Sequence, residues 1–375
     1  MLLKARPNIL KVQPYEPGKP VSEVARELGL TDVVKLASNE NPWGPSPKAL
    51  AALKGSLAEV NRYPDGGGFY LKEALSAKLG VDPDWIILGN GSDEIGGLLA
   101  LTYLNPGDEA VVGEPAFIRY AQNVAMVGGE CISVKLREFT HDLPAMAEAV
   151  TPKTKLVFIA NPNNPTGTMV TQQAVGHFLS RIPSSVLVVF DEAYYEYIDR
   201  EDFPKSLELL KERENILILR TFSKIYGLAG LRIGYGIGRP EVISAINRVR
   251  PPFNVNSLAQ KAAVAALDDE EYAKQCRRLN QEGYVYLTQE LKRLGLAFVH
   301  SVANFILVDV GQDGRRVFER LLAEGVVVRP MGGYGLTTHL RVTIGRPEEN
   351  ERFIQAIKNR LKAIELQPSA FSLSA

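Results

Sequence analysis

At 375 residues the chain has room for two domains and a sizeable core. Hydrophobic residues at 45% and charged residues at 23% match ordinary globular usage, which excludes a disordered or rod-like protein. The 43 Lys and Arg balance the 43 Asp and Glu, so no excess positive field holds nucleic acid or anionic lipid, and any basic site must be local.

The N-terminal stretch Met1 to Pro20 carries Lys4, Arg6 and Lys11 among its prolines and has no continuous apolar run, so no secretory leader is expected. No segment reaches the ~18 uncharged apolar residues of a membrane span, so no membrane partner is expected. Cys131 and Cys276, with the scattered His141, His177, His300 and His339, build neither a disulfide framework nor a metal site. A reducing cytoplasm and no metal are the expectation.

Further along, short β-branched runs alternate with amphipathic stretches, the pattern of strand-helix-strand units that stack a mostly parallel sheet. Strands are expected at Trp85–Leu88, Ala110–Val112, Cys131–Val134, Leu156–Ala160, Val186–Phe190, Ile216–Leu219 and Leu231–Tyr235, seven in all. Helices fall between most of them, for example Asp93–Leu104 with Ser92 as its cap, Gln172–Ser180 and Pro204–Glu212. The last two strands are joined by a loop. The fold class is therefore α/β.

Beyond Arg239 the texture changes to long polar helical stretches, Glu241–Val249, Ser257–Leu267 and Glu270–Leu294, broken at Arg250-Pro251-Pro252-Phe253. Strands follow at Phe305–Val308, Val326–Arg329 and Leu340–Ile344, with helices at Gly314–Ala323 and Pro347–Leu366. The expected division is an N-terminal arm over 1–34, a large domain over 35–250 and a smaller α+β domain over 251–375.

Three segments lie just past the carboxyl ends of expected strands, where open α/β sheets place ligands: Asn161–Gly167, Asp191–Tyr195 and Thr221–Gly227. Asn164 to Asp191 spans 27 residues and Asp191 to Lys224 spans 33, each near the ~30 of one strand-helix-strand unit, so all three return to one sheet edge. An amide, a carboxylate followed by a tyrosine, and a lysine in a hydroxyl-rich loop meet the needs of pyridoxal phosphate. The lysine forms a Schiff base, and the carboxylate on the pyridine nitrogen keeps the ring an electron sink.

The stretch Thr221-Phe-Ser-Lys-Ile-Tyr-Gly-Leu-Ala-Gly-Leu-Arg-Ile-Gly-Tyr235, together with Asn161–Gly167 and Asp191–Tyr194, resembles the class II aminotransferases of the aspartate aminotransferase fold, and among them the histidinol-phosphate group. The resemblance runs through Lys35–Ser46, Arg62–Asp65, Gly89–Glu94, Arg250–Asn256 and Leu340–Gly345, in the family's order. It implies a fold type I enzyme whose large domain binds pyridoxal 5'-phosphate, a homodimer with shared sites, and transamination between histidinol phosphate and 2-oxoglutarate. An aromatic amino acid aminotransferase of the same fold is the alternative.

By the same resemblance Lys224 carries the cofactor and moves the proton, Asp191 pairs with the pyridine nitrogen, and Tyr194 and Asn164 donate to the phenolic oxygen. Gly91, Ser92, Asp93, Thr221, Ser223 and Arg232 match phosphate ligands, and Tyr63 matches a tyrosine that reaches the neighbouring subunit's phosphate. Phe117 stacks on the ring, while Tyr15, Arg329 and Arg341 match substrate ligands, Arg341 as a two-pronged carboxylate clamp. Plainer readings stand beside these: turn chemistry for Asn164, core packing for Phe117 and Tyr15, a surface salt bridge for Arg329. A nucleotide-binding dehydrogenase is disfavoured, since Glu94 stands where Gly-x-Gly-x-x-Gly needs its third glycine.

Overall fold

The computed structural model describes residues 5–14, 18 and 20–365. Thirteen strands occur among them in chain order: β1 (Val34–Lys35), β2 (Ile86–Gly89), β3 (Glu109–Glu114), β4 (Glu130–Lys135), β5 (Thr154–Ala160), β6 (Leu187–Asp191), β7 (Ile216–Thr221), β8 (Gly234–Gly238), β9 (Ala297–Val299), β10 (Phe305–Asp309), β11 (Val326–Val327), β12 (Arg329–Pro330) and β13 (His339–Thr343). Seven of them form one sheet in the order β2-β8-β7-β6-β5-β3-β4. Only β8 runs antiparallel to its neighbours in that sheet.

Both faces of this sheet are covered, which is why its strands read as near-continuous apolar runs. Val157, Ile159, Val188 and Ile218 enter one core, while Leu156, Phe158, Val189 and Leu219 enter the other, following the period of two along a strand. A second lobe holds a four-stranded antiparallel sheet, β12-β13-β10-β9, with Leu287, Val317, Leu321 and Phe353 of its helices packed into a separate core.

Three features depart from the sequence reading. The last strand of the large sheet is Gly234–Gly238 instead of Leu231–Tyr235, because Arg232 adopts a left-handed backbone with φ 56° and Ala229–Leu231 is a 3-10 turn. The strand approaches its neighbours so closely that a Cβ on Gly234 would lie 2.4 Å from the Ser92 nitrogen, so glycine overrides its poor strand propensity here. The stretch Val326–Arg329 splits in two: β11 pairs with β1, and β12 pairs with β13.

The third departure concerns where the chain changes lobes. Helix Ser257–Leu267 packs its Ala259, Ala262, Ala263 and Ala266 into the large-lobe core, and Cys276 of helix Glu270–Arg293 joins them, whereas Leu287 and Leu291 of that same helix enter the small-lobe core. The crossing therefore lies inside a continuous helix, not at the Pro251-Pro252 break. Val34 and Leu36 also belong to the small-lobe core, so the segment just ahead of the large lobe is built into the small one.

Candidate active site

Ala160 pairs in register with Asp191, and Asp191 with Leu219, so β5, β6 and β7 end on one line. The loops that follow carry Asn164, Tyr194 and Lys224 into a cleft of about 390 Å³. Gly91, Ser92, Asp93, Phe117, Thr221, Ser223 and Arg232 line the same cleft.

Lys224 reaches into it between the buried Phe222 and Ile225, and its Nζ donates to the Ser38 carbonyl at 3.3 Å. Burial first, then the Arg341 and Arg232 charges, bring its pKa down to about 8, so the neutral amine is accessible near physiological pH. Asp191 sits at the floor, where its Oδ2 accepts from the Tyr120 hydroxyl at 2.6 Å and its Oδ1 from the Ala193 N–H at 3.2 Å. Burial raises this carboxyl to about 6 against those two donors. A buried carboxylate in this state gains from a cation placed beside it.

Tyr194 is buried, its hydroxyl accepting from Asn39 Nδ2 at 2.9 Å. Burial pushes the phenol up to about 12, so it stays protonated. Asn164 turns its Oδ1 to Arg341 Nη1 at 2.5 Å, which leaves its Nδ2 as a donor toward the cleft. Arg341 also donates from Nη2 to the Ala37 carbonyl at 2.7 Å and lies over the Phe305 ring at 5.3 Å.

The anion end of the cleft is built from backbone. Helix Ser92–Tyr103 begins with Gly91 at its N-cap, φ 82°, and no side chain caps it. Ser92 is thus the first helical residue instead of the cap, and the first N–H groups, with the helix dipole behind them, face the cleft. A Cβ on Gly91 would lie 2.5 Å from Arg232 Nη2 and would push this guanidinium off the helix end, and the positive φ itself favours glycine. Arg232 Nη1 also donates to Ser223 Oγ at 3.4 Å and to the Ala229 carbonyl at 3.0 Å. Asp93 is held away by an ion pair with Arg119 at 2.9 Å, so it would serve an anion through its N–H and not its carboxylate. Thr221 Oγ1 accepts the Ser223 N–H at 3.1 Å and shapes the turn.

These groups fit the pyridoxal phosphate that the sequence implies: an uncapped helix end with a glycine cradle and an arginine for the phosphate, a buried carboxylate suited to a cation, two hydrogen-bond donors and an amine of depressed pKa. Phe117 lines the cleft and meets Tyr120 edge-on at 5.7 Å between ring centres.

Two expected residues lie elsewhere, and a third is not among the described residues. Tyr63 is 83% exposed, stacked on Phe253 at 4.8 Å, outside the cleft of its own chain. Arg329 stands opposite Arg341 across the β12–β13 pair and lines a neighbouring hollow of about 300 Å³ with Arg315 and Tyr334. Tyr15 lies outside the described residues.

Sequence reasoning missed Tyr120, Ser38 and Asn39. Tyr120 carries no motif of its own, and its ring stacks on Phe158 at 4.9 Å. Ser38 and Asn39 lie inside the Lys35–Ser46 motif, yet only the fold brings them to Lys224 and Tyr194. A buried ion pair also backs the site: Arg220 donates from Nε and Nη2 to Glu192 Oε2, at 2.9 and 2.8 Å, directly beside Asp191.

A family model described as aminotransferase class I and II matches residues 31–357. The histidinol-phosphate aminotransferase of Moorella thermoacetica is 55% identical over 359 residues, 96% of this chain and 93% of its own. Histidinol-phosphate aminotransferase 2 of Carboxydothermus hydrogenoformans is 51% identical over 365 residues, 97% of this chain and 100% of its own. Among solved structures, histidinol-phosphate aminotransferase from Sinorhizobium meliloti in complex with pyridoxal-5'-phosphate superimposes with a TM-score of 0.90 at 29% identity, covering 97% of this chain and 99% of that one.

Proposed function

The chain belongs to the class I and II aminotransferases, and from that premise we propose that it moves an amino group between L-histidinol phosphate and 2-oxoglutarate in histidine biosynthesis, with pyridoxal 5'-phosphate as cofactor. The observation that carries the reading is the convergence of Lys224, Asp191, Tyr194 and the Gly91–Arg232 cradle on one cleft in a chain 55% identical to a histidinol-phosphate aminotransferase.

Bound there, the cofactor supplies a carbonyl that takes up the amino group and a ring that accepts electrons. Lys224 Nζ, neutral in part near pH 8, would hold the cofactor through its carbonyl carbon and would be the group that takes and returns the substrate α-proton. Asp191 sets its carboxylate against a positive pyridine nitrogen, and Tyr120 and Ala193 keep that carboxylate oriented. Tyr194 and Asn164 Nδ2 donate to the phenolic oxygen. Gly91, Ser92, Asp93, Thr221, Ser223 and Arg232 hold the phosphate, and Phe117 covers the ring.

Arg341, held by Asn164 and the Ala37 carbonyl, offers a planar fork to the α-carboxylate of glutamate. Arg329, opposite it on β12, takes the glutamate side-chain carboxylate or the phosphate of histidinol phosphate.

The working unit we assign is a homodimer. Leu57, Val60, Tyr63, Phe69, Tyr70 and Phe253 all expose large apolar surfaces, and Val60, Tyr63 and Phe253 line one hollow, a face suited to a second copy whose phosphate site Tyr63 would complete. The cytoplasm as location rests on Cys131 and Cys276, both unpaired.

The test is an absorbance titration of the purified protein. A visible band that disappears in Lys224→Ala establishes the covalent attachment. Discharge of that band by histidinol phosphate at far lower concentration than by phenylalanine supports the reading, and the reverse order replaces it with aromatic amino acid transamination.

A further inference from the structure

Asn39 stands between the small-lobe strand β13 and the Tyr194 hydroxyl. It is 1% exposed and holds φ 53°, a left-handed backbone that asparagine tolerates better than most residues. Its Nδ2 donates to the Tyr194 oxygen at 2.9 Å, its backbone N–H donates to Thr343 Oγ1 at 2.9 Å, and the Thr343 hydroxyl donates to Asn39 Oδ1 at 3.2 Å. Asn304 Nδ2 anchors the Asn39 carbonyl at 3.0 Å.

This pattern settles which way the amide points. With Nδ2 and Oδ1 exchanged, Thr343 Oγ1 would receive two N–H donors, and its own proton would lose the acceptor it has in Asn39 Oδ1. A phenol oxygen that already accepts from Asn39 has its own proton left to give. Tyr194 lines the cleft, whereas Asn39 lies behind it.

We propose that Asn39 is a positioning residue that holds the Tyr194 hydroxyl as a donor directed into the cleft, and that Thr343 ties this orientation to the strand carrying Arg341. Thr343 and Arg341 are two residues apart on β13 and both grip the same crossing segment, Arg341 at the Ala37 carbonyl and Thr343 at Asn39. Substrate capture by Arg341 and presentation of the Tyr194 proton therefore share one piece of backbone. The proposal rests on the transaminase reading above. The other groups facing Tyr194 are Arg341, Asp191, Tyr334 and Lys224, the last with Nζ 5.5 Å from the ring centre. None of them is an uncharged N–H donor, so none substitutes for the Asn39 amide.

Two variants of the cofactor-loaded enzyme separate positioning from packing. Asn39→Asp keeps a residue that tolerates the left-handed backbone but reverses the contact, because a carboxylate can only accept and draws the Tyr194 proton to itself. Asn39→Gly keeps the backbone and deletes the amide. We expect kcat to fall about tenfold in Asn39→Asp and about threefold in Asn39→Gly, with KM within about twofold of wild type. The pH at which the visible band of the resting enzyme changes should rise by about one unit in Asn39→Asp.

In a Tyr194→Phe background the Asn39→Asp change should cost nothing further, since the proton it misdirects is gone. Thr343→Val, expected to move kcat and the band pH in the same direction by less, carries the test if thermal unfolding shows that Asn39→Asp does not fold. An unchanged band pH and kcat in both Asn39→Asp and Thr343→Val would overturn the proposal, as would an Asn39→Gly loss equal to that of Asn39→Asp. A wild-type protein with no band at all would instead sink the transaminase reading.

Discussion

The Tyr120 hydroxyl donates to Asp191 Oδ2 across 2.6 Å, from a helical position 71 residues earlier in the chain than the strand end it serves. Tyr120 is itself locked, stacked on Phe158 and edge-on to Phe117. The bond lowers the Asp191 pKa against the burial that raises it, so it favours the ionised carboxylate. Tyr120→Phe keeps the packing and removes that donor. The expected result is cofactor affinity weakened by about tenfold, measured by fluorescence titration of the apoenzyme, the size of a hydrogen bond to a charged group.

The Asp191 carboxyl also links function to stability. Its folded pKa of about 6 exceeds the ordinary 3.8, so the cofactor-free folded state binds a proton that the unfolded chain has released. Stability is therefore full below the ordinary value and is lost as pH rises through about 6. Asp191→Asn should make the apoenzyme more stable near about pH 7, by an amount on the order of 2 to 3 kcal/mol that vanishes toward about pH 4. The same variant, loaded with cofactor, should lose at least about a hundredfold in kcat. Thermal unfolding at the two pH values and a turnover assay check the two halves.

Behind the carboxylate, Arg220 and Glu192 are 4% and 1% exposed and pair at 2.8 Å, with the guanidinium 3.5 Å above the Tyr195 ring. Removing only the cation leaves a buried carboxylate without its partner. Arg220→Met should cost roughly 3 to 5 kcal/mol in urea unfolding, and the double change Arg220→Met with Glu192→Leu should recover most of it. A double variant no more stable than the single one would show that the arginine acts by packing on Tyr195.

The proposed sharing of sites between two copies makes a distinctive prediction for Tyr63, which lies outside its own cleft. Tyr63→Ala and Lys224→Ala homodimers should each be nearly inactive. Unfolded, mixed and refolded together, they form hybrids in which one site has both native residues, so about a quarter of wild-type activity should return. No recovery would place Tyr63 outside the chemistry.

The sequence by itself determined the large sheet and the residues with local signatures. Lys224, Asp191, Tyr194 and Asn164 each follow a strand whose apolar run is visible in the chain, and one repeating strand-helix-strand length returns all of them to one edge. Hydrophobic pattern reports which positions are buried, and motif spacing reports which loops share an edge.

Neither reports which distant polar group a buried one will meet. Tyr120 reaches Asp191 across 71 residues, Asn39 reaches Tyr194 across 155, and Arg341 reaches Asn164 across 177. The bounds of the glycine-rich strand Gly234–Gly238 and the lobe crossing inside helix Glu270–Arg293 were illegible for a related reason. The strand exists because close approach to Ser92 outweighs propensity, and the crossing falls where one face of a continuous helix leaves the first core and enters the second. Partner choice among buried polar groups and the division of a helix between two cores depend on packing across the whole molecule, and only the folded chain decides them.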